Sequence, residues 1–113
     1  MNVYDNANEL AKAMRESHEF KKLKEATAAL GKDENTKKMV DEFLQLNQEA
    51  DIAKYQGKEP AKETTEKIQK LYSVLSLNND FNEFLNSLMH FNLMCSDIQK
   101  SIQNVIKEAM GEK

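Results

Sequence analysis

Few side chains in this 113-residue sequence could do chemistry, and their surroundings argue against each in turn. His18 has Glu16 and Glu19 as near neighbours, which suits a surface imidazole among carboxylates better than a ligand. His90 lies between Met89 and Phe91. A metal site on one helix face takes a second ligand at i+3 or i+4, and those positions hold Leu93 and Met94. A buried, hydrogen-bonded imidazole and a rim residue of an interface both stay open for His90. Cys95 is the single cysteine. Reactivity would require a nearby cation or a helix N-terminus to stabilise the thiolate; mid-helix among apolar neighbours, the thiol reads as a small hydrophobe. The carboxylates are scattered among lysines, and no C-x-x-C, H-E-x-x-H, G-x-S-x-G or glycine-rich phosphate loop occurs. The residues therefore point away from an enzyme: no catalytic group, no metal and no cofactor is expected.

Composition narrows the class further. With 113 residues, three Gly and one Pro, the chain suits one domain, 1–113, built from good helix formers. Charged residues make up 31% and the formal net charge is -3. Nucleic-acid binding draws on a basic excess to neutralise phosphates. Here Lys21, Lys22 and Lys24 run straight into Glu25, and Lys37 and Lys38 are the only other candidates, so direct nucleic-acid contact is not expected. No apolar run approaches the roughly 20 residues of a bilayer span, and Met1-Asn2-Val3-Tyr4-Asp5 lacks the basic and apolar segments of a secretion signal. One cysteine excludes an intramolecular disulfide and fits a reducing compartment. The expectation is a cytoplasmic protein.

The elements that would position these residues are all helical. The spacing of Leu10 and Met14, with Ala7, Ala11 and Ala13 allowing close approach, predicts a first helix over Tyr4–Glu16. Ser17 is a candidate N-cap for a second, with Phe20, Leu23, Thr27 and Leu30 on one stripe and Gly31 as its stop. Whether these two run on through a kink stays open. Asp33 should cap a third helix to about Gln56 that buries Met39, Val40, Phe43, Leu46, Ala50 and Ala53. After Gly57, Pro60 suits the first position of a fourth helix to about Leu77 that buries Ile68, Leu71, Tyr72 and Leu75. Asp80 with Glu83 resembles a capping box that opens the last helix, Asp80–Met110.

That last helix carries the strongest pattern. Leu88, Cys95, Ile102 and Ala109 recur every seventh residue, as do Phe84, Phe91, Ile98 and Val105. Two such series form an a/d seam for packing lengthwise against another helix. About 31 residues of helix span roughly 46 Å, whereas a compact globule of this length is about 34 Å across. The helix should outrun its own domain, and a second copy of the chain is the simplest cover for its apolar, Met-bearing surplus. The fold class expected is all-α: about five helices in an elongated bundle with a long C-terminal helix, dimerising through long helices. The expected interface comprises Phe84, Leu88, Phe91, Cys95, Ile98, Ile102 and Val105. The competing arrangement is a monomer in which helix three matches helix five along its length. Met89, Met94 and Met110 are either core residues or an adaptable partner surface.

The run Val3-Tyr4-Asp5-Asn6-Ala7-Asn8-Glu9-Leu10, followed by Arg15-Glu16-Ser17-His18-Glu19-Phe20-Lys21, resembles the start of the YlbF/YmcA family of small bacterial helical proteins, in particular its YheA-like branch. Phe43 with Leu46 and Gln48, the turn Gln56-Gly57-Lys58-Glu59-Pro60, and Ser96-Asp97-Ile98 extend the likeness over nearly the whole chain. The resemblance implies an all-helical fold that associates through long helices. It also implies a regulatory role in protein complexes connected with RNA processing and with competence, sporulation and biofilm formation. Branches of the family hold iron–sulfur clusters through cysteines. This sequence departs there, offering Cys95 alone where a cluster takes four thiolates. The function expected is that of a non-catalytic adaptor with itself and other cytosolic proteins as partners; the alternative is a ligand- or RNA-binding helical bundle.

Overall fold

A computed structural model of the chain describes residues 2–112. Among them there are five helices and no strand: α1 (Val3–Arg15), α2 (His18–Leu30), α3 (Glu34–Tyr55), α4 (Lys62–Leu75) and α5 (Asn79–Ala109). The described residues gather into two compact units, one formed by residues 26–84 and the other by residues 2–25 with 85–112.

The unit formed by residues 26–84 is organised around a helical hairpin in which α3 packs against α4. Asp33 caps α3 as its sequence suggests, accepting from the Asn35 amide at 3.1 Å and the Thr36 hydroxyl at 2.8 Å. The helix closes in a Schellman turn: the Lys58 amide bonds to the Ala53 carbonyl at 2.9 Å and the Gly57 amide to Lys54 at 3.0 Å. Gly57 takes φ 77° there, a conformation in which a Cβ would be strained. Leu30, Val40, Phe43, Ala50, Leu75, Phe81 and Phe84 are buried. Phe81 is edge-on to Phe43 at 5.6 Å and to Tyr72 at 6.2 Å, the tilted geometry that aromatic quadrupoles favour.

Three local expectations need correction in this unit. Pro60 is not the first residue of α4; the helix starts at Lys62 from an extended Ala61 with ψ 139°, so Pro60 lies before the cap. Tyr72 is not buried but 46% exposed, its ring stacked near Phe43 at 6.2 Å. The cap of α5 is Asn78 rather than Asp80. Its Oδ1 accepts from the Asp80 amide at 2.8 Å and the Phe81 amide at 3.2 Å. Asn and Asp cap equally well, and capping from Asn78 leaves Asp80 within the first turn, where the helix dipole favours a carboxylate.

In the other unit, Asn2 caps α1 and the chain then breaks between α1 and α2. Ser17 makes that break. Its hydroxyl donates to the Met14 carbonyl at 2.6 Å and accepts from the Phe20 amide at 3.1 Å, which ends one helix and caps the next. Phe20 lies 6.3 Å from Phe91 of α5, ring to ring. No residue of α1 is buried. A second Schellman turn, with Gly111 at φ 76° and the Glu112 amide on the Lys107 carbonyl at 2.9 Å, ends α5.

Candidate interaction surface

At 100° per residue, the two heptad series of α5 fall on a single stripe, and its exposure changes along the helix. Phe84 is buried, only 6% exposed, in the core of its own chain. Leu88, Phe91, Cys95 and Ile98 are half-buried. Ile102 is 54% exposed and Val105 62%, and Ala109 is exposed as well. Ile106 and Met110 widen the bare stretch. From Ile98 to Ile106 the single charged residue is Lys100, on the opposite side of the helix. Gln99 and Ser101 flank the stripe over this stretch, and Glu108, three residues after Val105, borders its end.

Three further residues bear on the stripes of α5 and α1. Phe81, fully buried, stands seven before Leu88 and starts the same series; the heptad count contained that signal one repeat earlier. Val3, more than three-quarters exposed, extends the Leu10 and Met14 spacing of α1 into a stripe at 3, 7, 10 and 14, and Tyr4, equally exposed, stands beside it. Leu93 and Met89 are exposed on a different side of α5.

The two histidines line one groove. His18 and Glu19 from α2 with His90 and Asp97 from α5 rim a surface groove of about 430 Å³ over Leu93, Met94 and Ile98. His90 is exposed, which removes the buried reading. Among the described residues the ion pairs lie elsewhere, between Lys62 and Glu66 and between Lys67 and Glu63, and no group of three or more His, Cys, Asp or Glu could hold a metal ion. No helix is long and apolar enough to cross a membrane among those residues.

Five helices ending in one of 31 residues, with an apolar stripe that leaves its own core, define a class of small all-helical protein. The chain belongs to the YlbF/YmcA family: the family model described as control of competence regulator ComK, YlbF/YmcA, matches residues 3–107. A UPF0342 protein of Caldicellulosiruptor saccharolyticus is 40% identical over 105 residues, covering 93% of this chain and 88% of its own. One from Staphylococcus aureus is 32% identical over 112 residues, covering 99% and 95%. The fold is shared with a Bacillus stearothermophilus protein of unknown function (DUF964), at TM-score 0.72 and 18% identity over 94% of this chain and 93% of that one. It is also shared with a chain of the Bacillus subtilis complex of RicA with RicF, at TM-score 0.61 and 17% identity over 96% of each.

Proposed function

We propose that this protein is a non-catalytic regulatory adaptor that acts by homo-oligomerising and by binding other cytosolic proteins. One observation carries the reading: the α5 stripe is buried at Phe84 and bare at Ile102 and Val105. A helix does not hold an apolar, charge-free stripe over its last three turns without cover. The interface is Leu88, Phe91, Cys95, Ile98, Ile102 and Val105, joined to the core through Phe84. A structural neighbour solved in complex with another protein supports the partner-binding role, and a single family model running through both compact units supports reading 1–113 as one module. Regulation of RNA processing or of development is the setting that family membership suggests.

Light scattering across a hundredfold concentration range tests the reading. The expected result is an oligomer that dissociates when Ile102 and Val105 are both replaced by Glu. A wild-type chain that stays monomeric at every concentration overturns it.

A further inference from the structure

We propose that the groove lined by α2 and α5 docks a cationic amphipathic helix of a partner protein, an Arg or Lys of that helix meeting Glu19 and Asp97 while an apolar neighbour rests on Leu93 and Met94. The inference deepens the partner-binding half of the reading above and does not depend on the oligomer. Charge selects the occupant. Glu19 from α2 and Asp97 from α5 line the groove, and no Lys or Arg does. The lysines of those two helices stand outside the lining, as do Arg15 and Glu16 at the end of α1. Neither carboxylate is engaged within the chain: among the described residues the ion pairs are Lys62 with Glu66 and Lys67 with Glu63. Between the two carboxylates lies an apolar floor in which Leu93 is 61% exposed. A long cationic side chain satisfies both features, its charged head at the rim and its methylene stem on the floor. An anionic or purely apolar segment satisfies at most one.

The groove also lies apart from the seam. Leu93 and Asp97 each stand roughly 160° around α5 from Cys95, in the middle of the heptad stripe, and Ile98 alone belongs to both surfaces. A chain joined to its own copy through the stripe therefore keeps the groove open, and an adaptor needs two faces at once. A volume of about 430 Å³ suits one or two side chains, so the partner's helix lies across the mouth and inserts its anchors.

Both histidines of the chain, His18 and His90, line this groove. Imidazole is the side chain that changes charge between about pH 5 and 8. With both rings neutral the lining carries two negative charges and no positive one. With both protonated the charges balance, and the attraction for a cation is lost. Docking is strong at neutral pH and weak in mild acid.

The probe is a fluorescently labelled helical peptide of Leu and Arg, with a counterpart carrying Glu for Arg, titrated against the full-length chain by anisotropy. At about pH 7.5 the Arg peptide should bind and the Glu peptide should not. Glu19→Gln with Asp97→Asn should weaken binding at least about tenfold, while Glu49→Gln with Asp51→Asn, at exposed positions of α3, should leave it unchanged. At about pH 5.5 the wild-type affinity should fall by a similar factor, and His18→Gln with His90→Gln should abolish that fall. Equal losses from the two carboxylate pairs, a pH response that survives the histidine substitutions, or no binding of the Arg peptide would each overturn the groove assignment. Light scattering separates this from the oligomer. A chain that associates but fails to bind the peptide loses only the groove; a monomeric chain that binds it through Glu19 and Asp97 keeps the groove and loses the seam.

Discussion

At its start α5 places Phe81 edge-on to Phe43 and Tyr72 and buries it completely. Seven residues is the repeat throughout, yet three repeats later Ile102 in the same series is more than half exposed. The contrast extends to the helices around each end. α3 and α4 pack as a hairpin and contribute Val40, Phe43, Ala50 and Leu75 to a core, while α1 contributes no buried residue. Both regions are amphipathic, and both end a helix with glycine at φ near 76–77°. The difference is that the stripe of one is satisfied inside the chain. A heptad therefore specifies that a helix needs a neighbour; it does not specify whose.

The largest test of that contrast is a truncation on each side of it. Phe81→Ala removes a fully buried ring and should lower unfolding free energy by about 3–5 kcal/mol, measured by urea denaturation. That is a large share of the stability of a domain of this size. Ile102→Glu alters the same series where it is bare. It should leave the unfolding free energy of the isolated chain within about 0.5 kcal/mol, while association weakens by about tenfold or more. If Ile102→Glu destabilises a dilute, monomeric chain as Phe81→Ala does, the two ends are not different in kind.

The sequence exposes much of this logic because helices announce themselves locally. Caps at Ser17 and Asp33, the stop at Gly57 and the heptads of α5 each involve residues within one or two turns of one another, and the structure has them where the pattern puts them. What it withholds is competition. Asn78, Asn79 and Asp80 are adjacent candidates for one cap, and only the backbone path decides for Asn78. The ring of Tyr72 stacks at the core while the residue stays half exposed, a division that helical spacing cannot express. That His18 and His90 line one groove is a tertiary juxtaposition, which no local pattern encodes. The bare end of the stripe was legible as an apolar surplus, and its extent was not, because exposure depends on which helices stop short of it.

The smallest effect gives the sharpest form of the comparison, because the same substitution can be made in both regions. Gly57 and Gly111 both close a Schellman turn, with nearly equal φ, and a Cβ would meet nothing within 4 Å at either. Replacing each by Ala therefore adds the same left-handed strain, on the order of 1 kcal/mol, with no steric difference to confuse the result. Where that strain is felt depends on what opens to relieve it. The Gly57 turn joins two packed helices, so relief requires separating them, and Gly57→Ala should lower global stability by about 1 kcal/mol in urea. The Gly111 turn follows a stretch in which every residue from Ser101 to Glu112 is exposed. There the last turn can fray without disturbing the core. Gly111→Ala should leave the urea midpoint of the monomer unchanged and speed amide exchange at Met110 and Glu112 alone. Equal losses at the two sites would mean that the end of α5 unfolds with the core, and that its exposed stripe belongs to one cooperative unit with the hairpin.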